Sequence, residues 1–156
     1  MLGFMFRLTT FIAFSSSLAA ALLVFSRPSN ADERTDIESV LTKQAAAWNR
    51  GDIESFMGHY WKSDQLTFSS GGETSRGWQA TKERYLRRYP SREQMGQLKF
   101  TQLETTLLGD SAALVLGRWH LMRDSSPLEG NFTLVFRRID GNWVIVHDHT
   151  SRAEPK

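Results

Sequence analysis

The sequence predicts an α+β domain in which helices precede an antiparallel sheet. Helical periodicity dominates residues 35–89, apart from one short hairpin. Runs of strand-forming residues separated by short turns occupy residues 98–151. Helices gathered in one half of a chain and strands in the other are typical of α+β folds, whereas alternation of the two indicates a parallel α/β sheet.

The first predicted helix begins at Thr35. Thr35 and Glu38 have the spacing of a capping box, in which each side chain bonds the backbone N–H of the other residue. Apolar residues then recur on one helical stripe that starts at Ile37. Gly51 suits the left-handed residue that ends a helix, and Asp52 suits the N-cap of a second, short helix. That helix would carry its apolar side chains, including Tyr60, on one inner face.

The remaining elements follow in order. A strand at 66–69, a turn at 70–73 and a third helix at 78–89 are expected, and Pro90 ends that helix. Four long strands come next, separated by connections that include turns at Gly109-Asp110 and Asp140-Gly141. The predicted strands cover residues 98–108, 112–123, 131–139 and 143–151.

The late strands carry apolar side chains on both faces. Leu114 and Leu116 project to one face, and Val115 and Trp119 project to the other. A sheet that is apolar on both faces needs cover on both, and the helices can cover only one. A second copy of the chain can bury the other face, so the sequence predicts a homodimer.

Residues 1–31 have the pattern of a secretory signal peptide. Arg7 precedes a long apolar stretch, and small residues at Ser29 and Ala31 provide a cleavage site after Ala31. The expectation is an exported protein, periplasmic or secreted, whose single domain comprises residues 32–156. The alternative is a retained N-terminal membrane anchor, because the apolar stretch is close to the length that spans a bilayer.

Charge and cysteine content exclude several functions. The chain has 19 basic and 17 acidic residues, and two of the arginines lie in residues 1–31, which contain no acids. The predicted mature chain is therefore balanced, which gives no reason to expect nucleic acid or, beyond the export signal, a membrane as partner. Because the chain has no cysteine, it has no disulfide, no thiol nucleophile and no thiolate metal site.

The third predicted helix and the residues after it carry a cluster of basic residues, for which a nucleic-acid surface is one interpretation. Glu83 and Glu93 interrupt the cluster. The pattern therefore favours a solvated helix face. The basic residues are Lys82, Arg84, Arg87, Arg88 and Arg92.

Three segments of the sequence resemble the nuclear transport factor 2-like superfamily. They are AAAWNRGDIESFMGHY at 45–60, RGWQATKERY at 76–85 and FRRIDGNWVIVHDHTS at 136–151. Within the superfamily, the chain is most similar to SnoaL-like proteins and to the association domain of calcium/calmodulin-dependent kinase II. The resemblance covers about residues 34–152. It implies a curved sheet wrapped around an internal cavity, three helices that close the cone, and dimerisation through the outer sheet face.

The resemblance does not carry over the catalytic residues of ketosteroid isomerases, which belong to the same superfamily. Those enzymes use an aspartate base with a tyrosine and a protonated aspartic acid. The resemblance places Gln44 at the tyrosine position, Phe68 at or beside the base, and apolar sequence at 133–134 in place of the second acid. It also places Trp119 and Leu134 where the association domain has arginines. It therefore implies a pocket that is aromatic and less cationic, without isomerase chemistry of that kind.

The segment WVIVHDHTSR at 143–152 contains the strongest candidates for chemistry. On a regular strand His147 and His149 share one face and Asp148 lies on the other. A metal site would need a third ligand, such as His59 or His120, and the spacing alone does not favour one. Either His149 or Asp148 could act as a general base at the cavity mouth. The third interpretation is structural, with a histidine that fixes the rim of the pocket. We expect His149 to face the cavity.

The sequence as a whole predicts an exported domain that binds a small apolar or aromatic molecule or serves as a scaffold, without catalysis, cofactor or metal. One alternative is a SnoaL-like enzyme in which His149 or Asp148 moves a proton on a carbonyl-containing substrate. Another is a domain that serves only for dimerisation or assembly. A pocket of aromatic residues with a few polar groups is typical of small-molecule sites. The candidate ligand-binding residues are Tyr60, Phe68, Trp119, Phe132, His147 and His149.

Overall fold

Helices and strands follow one another along residues 29–124 and 126–154, which are the residues that this computed structural model describes. Residues 1–28, which make up most of the predicted export signal, lie outside that range. The elements are α1 (Asn30–Asn49), α2 (Ile53–Met57), β1 (Thr67–Ser70), β2 (Glu73–Arg76), α3 (Trp78–Arg88), α4 (Arg92–Met95), β3 (Gln97–Leu107), β4 (Ala112–Met122), β5 (Leu128–Ile139) and β6 (Asn142–Thr150).

The strands form one open, curved sheet in the order β2-β1-β6-β5-β4-β3. The α+β class with a curved sheet and helices from the N-terminal half is confirmed. The pairing differs from a purely antiparallel sheet at one place, because β1 runs parallel to β6. The other pairings are antiparallel. The short hairpin of β1 and β2 is thereby attached to the edge of the last strand.

Helix α1 begins earlier than the sequence predicts. Its N-cap is Ser29, and Ser29 and Asp32 form the capping box. The predicted capping box at Thr35 is wrong, because the Thr35 hydroxyl donates to the carbonyl of Ala31 within the helix. The predicted end of the helix is confirmed. Gly51 has a φ of +80°, and the Asp52 carboxylate accepts the N–H of Ser55 at 2.9 Å, which caps α2.

Both ends of α1 are fixed to the sheet by buried polar contacts. Near its start, Glu33 accepts the indole N–H of Trp143 at 2.9 Å and pairs with the guanidinium of Arg138. At its other end, the Asn49 side chain accepts the N–H of Leu98 at 2.7 Å and donates to the carbonyl of the same residue at 3.0 Å. These contacts hold α1 across the inner face of the sheet. None of the described helices has the length and apolar character needed to cross a membrane.

Two β-bulges bend the sheet. In β3 one extra residue lies between Thr101 and Glu104, and Gln102 there has a φ of +53°. In β6 the residue opposite Phe136 is Ile145, whereas the residue opposite Val135 is His147, so Val146 is the extra residue. A bulge increases the local bend and shifts the alternation of side chains by one position. The second bulge decides which residues of β6 reach the inner face.

The two faces of the sheet differ in their cover. Val115 on the inner face is fully buried under the helices. Leu116, its neighbour on β4, is 41 % exposed on the outer face. Leu114 and Val135, which are paired across β4 and β5, lie partly buried on that outer face. The outer face is thus apolar in its middle and open in the single chain.

Candidate functional site

An open pocket lies between the inner face of the sheet and the helices. Most of the residues that line it are aromatic or aliphatic, as is usual for small-molecule sites. The aromatic lining residues are Trp48, Phe56, Tyr60, Phe68, Tyr85, Tyr89, Phe100, Trp119 and Phe132. The polar lining residues are Ser70, Arg84, Arg88, Asp148, Thr150 and Arg152.

The walls of the pocket are aromatic side chains packed against one another. Trp48 meets Phe56 edge to face, with ring centroids 5.1 Å apart. Tyr85 contacts Phe56 at 5.0 Å and Phe68 at 5.4 Å. On the opposite wall another edge-to-face pair, Phe100 and Phe132, stands at 5.3 Å. Since such pairs stabilise specific ring orientations, the pocket has preformed walls.

A buried carboxyl group is the polar centre of the pocket. Asp148 is only 4 % exposed. The Tyr60 hydroxyl donates to its Oδ2 at 2.7 Å, and the Thr150 hydroxyl donates to its Oδ1 at 2.8 Å. The hydroxyl of Tyr85 lies 3.4 Å from that of Tyr60. Tyr60 comes after the end of α2, where a bridge to Ile145 aligns it with β6.

Burial tunes the acidity of this cluster. Removal from water raises the pKa of Asp148 to about 6, although the hydrogen bonds from Tyr60 and Thr150 oppose the rise. Burial also raises the pKa of Tyr60 and Tyr85 well above the usual value, and the nearby Asp148 adds to the rise. The two phenols therefore remain hydrogen-bond donors at neutral pH, while the carboxyl group gains and loses its proton close to neutrality.

The predicted aromatic residues and the predicted histidines occupy different faces. Tyr60, Phe68, Trp119 and Phe132 all line the pocket. The expectation that His149 faces the cavity is wrong, because His149 is exposed and lies opposite Thr133 on the outer face. The bulge at Val146 is the physical reason, since it turns the residues beyond it over.

His147 lies on the outer face with His149. Its Nδ1 is 2.6 Å from the hydroxyl of Thr67, and partial burial lowers its pKa. The predicted regular strand, with His149 toward the cavity, places Asp148 on the face away from it. In the structure Asp148 lines the pocket. Among the described residues, no three His, Asp or Glu side chains come together as metal ligands. His120, named above as a third ligand, instead contacts Thr101 and Glu129.

Several site residues escaped the sequence argument. Arg84 lies over the ring of Phe68, 5.1 Å from its centroid, and donates to the carbonyl of Ser70 at 2.8 Å. Arg84, Arg88 and Arg152 are the arginines of the pocket lining. The prediction of a solvated α3 face is wrong for Arg84, which is partly buried, whereas Arg87 and Arg88 are exposed. Helical spacing carried a signal, because residues 81, 84, 85 and 88 form one stripe.

The pocket has a carboxyl group and phenolic hydroxyls at places other than the aligned positions of ketosteroid isomerases. Phe68 stands directly across the β1–β6 ladder from Asp148. Asp148 thus enters the pocket from the strand next to residue 68. Gln44 is 1 % exposed and is not among the pocket-lining residues. Phenolic hydroxyls reach the pocket from Tyr60 and Tyr85 instead.

Most of the chain matches one known protein family. The sequence model of the SnoaL-like domain matches residues 37–155. The chain belongs to the SnoaL-like domain family. This confirms the resemblance to the nuclear transport factor 2-like superfamily.

Solved structures share the fold of this SnoaL-like domain. A nuclear transport factor 2-like protein of unknown function from Shewanella oneidensis is 42 % identical, with a TM-score of 0.74 over 76 % of this chain and 98 % of that one. A ketosteroid isomerase-like protein from Erwinia carotovora atroseptica is 18 % identical, with a TM-score of 0.66 over 80 % and 98 % of the two chains. A nuclear transport factor 2-like superfamily protein from Salmonella enterica is 16 % identical, with a TM-score of 0.65 over 82 % and 96 %. No curated protein matches the chain.

Replacement of Asp148 by asparagine is expected to stabilise the fold in a pH-dependent way. The folded protein holds the proton of Asp148 up to a pKa of about 6, whereas the unfolded chain releases it near 3.8, so the acid loses stability as pH rises between these values. The shift corresponds to about 3 kcal/mol in the free energy of unfolding. Urea unfolding at pH 4 and pH 8 should show the advantage of Asp148→Asn growing with pH. Asp124→Asn, at an exposed position, is the control. An advantage that is equal at both pH values would contradict the assignment.

Proposed function

We propose that this SnoaL-like domain binds a small, largely aromatic molecule in its pocket. The observation that carries the proposal is the buried hydrogen-bonded pair of Asp148 and Tyr60 within an aromatic pocket that opens to solvent. A carboxyl group that only stabilised the fold would not be placed on a pocket wall, where burial disfavours its charged form. A carboxyl group in a cleft whose pKa is shifted by burial is a candidate functional group.

The lining chemistry defines the molecule that would fit. Flat aromatic side chains such as Phe68, Trp119 and Phe132 favour a ligand with ring faces and edges to offer. At the polar end of the pocket, Asp148 can accept a hydrogen bond and the Tyr85 hydroxyl can donate one. A bicyclic or tricyclic compound with a hydroxyl or carbonyl group would pack against the aromatic walls and hydrogen-bond to these polar groups.

Filling the pocket is expected to abolish binding of an aromatic probe. Leu128 lines the pocket while being only partly buried, so Leu128→Trp can place an indole in the cavity with little damage to the core. The probe is N-phenyl-1-naphthylamine, an uncharged dye whose fluorescence rises in apolar surroundings. We expect at least tenfold weaker binding to Leu128→Trp, equivalent to about 1.4 kcal/mol.

The matched control is Leu108→Trp. Leu108 is 55 % exposed and lies outside the pocket, so this variant should bind the dye as the unmodified protein does. Failure of the unmodified protein to bind the dye would refute the proposal. So would equal binding by both tryptophan variants.

A second candidate function is proton transfer catalysed by Asp148. The specific observation in its favour is a pKa of about 6 at a buried carboxyl group, because a general base works best when its pKa is near the working pH. The fold is shared with a ketosteroid isomerase-like protein. Here the base would come from β6, one strand away from Phe68, and the phenols of Tyr60 and Tyr85 would supply hydrogen bonds.

The chemistry can be written for a substrate with an acidic C–H next to a carbonyl group. The Asp148 carboxylate removes the proton, so that the C–H bond breaks and an O–H bond forms on the carboxyl group. The electron pair of that C–H bond moves into the carbonyl, whose oxygen becomes an enolate. A neutral phenol such as Tyr85 can donate to that oxygen. Where the substrate also carries a β,γ double bond, the intermediate is a dienolate, and return of the proton to its γ carbon shifts the double bond and completes an isomerisation.

Catalysed hydrogen exchange tests this second function. The probe is 2-tetralone in deuterated water, with loss of its α-proton signals followed by NMR. The catalysed rate should rise with pH through a midpoint of about 6, because the carboxylate form is the base. Asp148→Asn should lower it about 100-fold or more. His149→Gln and Asp124→Asn should leave it unchanged, since both positions are exposed. A rate that depends on His149 would refute the role of Asp148.

We also propose that the mature protein is an exported homodimer. The signal-peptide pattern of residues 1–31 supports export. The apolar centre of the outer sheet face, with Leu116 41 % exposed, supports pairing through that face. Native mass spectrometry of protein purified from its own source tests both points at once. The expected mass is that of two chains that each begin at Asp32. A single chain, or a chain that retains residues 1–31, would contradict the corresponding part.

A further inference from the structure

We propose that the ligand is an aromatic anion whose negative group is held at the pocket mouth by Arg88 and Arg152. This inference rests on the proposed binding function and adds the charge and orientation of the ligand. Arg88 ends α3, and Arg152 follows β6, so the two cations reach the pocket from different elements. Both are exposed, as a group that meets an incoming charged ligand must be.

Both guanidinium groups are available. Among the described residues, neither Arg88 nor Arg152 has an ion pair or hydrogen bond from its side chain. The acids near the rim are otherwise engaged, because Glu73 faces Arg84 at 3.8 Å and Glu129 contacts Arg118 at 3.1 Å. Glu154, which borders a neighbouring groove with Arg152, forms no ion pair with it among the described residues.

The position of Arg152 is fixed although it lies close to the end of the chain. The N–H of Ser151 donates to the carbonyl of Asn131 at 2.9 Å, and the N–H of Ala153 donates to that of Glu129 at 2.8 Å. The indole of Trp119 donates to the carbonyl of Ser151 at 3.0 Å. These bonds bracket Arg152 on both sides and attach it to a pocket-lining ring.

This attachment requires a glycine on the neighbouring strand. A Cβ atom added to Gly130 would stand 1.9 Å from the carbonyl oxygen of Ser151 and 2.8 Å from the Trp119 indole nitrogen. No side chain fits at such distances. Gly130 thus allows the segment that carries Arg152 to lie against β5, at the edge of the pocket.

The charges within the pocket set the orientation of the ligand. The pocket lining contains three arginines and one carboxyl group, that of Asp148, which is buried. Once ionised, Asp148 repels an anion from the interior and accepts a hydrogen bond from a ligand hydroxyl. The negative group of the ligand therefore stays at the mouth, and its hydroxyl or carbonyl end enters. Arginine is suited to this role because its planar fork binds carboxylate or sulfonate oxygens in pairs.

Two dyes that differ by a single sulfonate test the inference. They are 8-anilinonaphthalene-1-sulfonate and the uncharged N-phenyl-1-naphthylamine. The double variant Arg88→Gln/Arg152→Gln should bind the sulfonate dye about tenfold more weakly, which corresponds to about 1.4 kcal/mol, and should bind the uncharged dye as before. Added salt should reproduce the loss in the unmodified protein, because exposed charges are screened. Arg137→Gln, an exposed arginine of β5 outside the pocket, is the matched control.

The outcomes separate the two proposals. If the uncharged dye binds in the pocket while the double variant leaves sulfonate binding unchanged, the anion inference fails and the binding function stands. If both dyes weaken equally, the arginines act through shape rather than charge, and the inference also fails. If neither dye binds the unmodified protein, the proposed binding function itself fails. Loss confined to the sulfonate dye, absent in Arg137→Gln, supports the inference.

Discussion

One extra residue in the last strand is the constraint on which the pocket depends. Strand side chains alternate between faces, so Trp143 and Ile145 on the inner face would be followed by His147 on a regular strand. The bulge at Val146 reverses that order and turns Asp148 inward. Without it the interior would hold an imidazole, and Tyr60 would have no carboxylate to bond.

The buried carboxyl group of Asp148 lowers the stability of the fold, and this bears on its role. A buried carboxyl group with a pKa of about 6 lowers stability at neutral pH. The hydrogen bonds from Tyr60 and Thr150 offset part of that cost but do not cancel it. A buried hydrophobic residue would stabilise this position better. An acid at this position is consistent with a site in which the negative charge of Asp148 has a role in ligand binding or proton transfer. The arginines of the same pocket carry positive charge.

Periodicity and residue type predicted the order of helices and strands. They also predicted that Gly51 lies at the turn that follows α1 and that Phe132 lines the pocket. The start of α1 did not follow from them, because two capping boxes compete and the one at Ser29 lies inside a stretch that also reads as a cleavage site. The orientation of Asp148 did not, because a bulge is a property of the paired strands. The pocket position of Arg84 did not, because its charge was weighed without the pocket beneath the helix.

The parallel pairing of β1 with β6 has a consequence for how the molecule is made. Among the described residues, the hairpin of β1 and β2 pairs with the rest of the sheet only through β6. The hydrogen bond from Tyr60 to Asp148 joins residues 88 positions apart. Contacts of such separation form late in folding, because a long loop must close first. During synthesis the first helices and the hairpin leave the ribosome before β6, the strand to which the hairpin is attached. A chain that stops before residue 147 contains all nine aromatic lining residues but lacks Asp148, the carboxyl group that they surround.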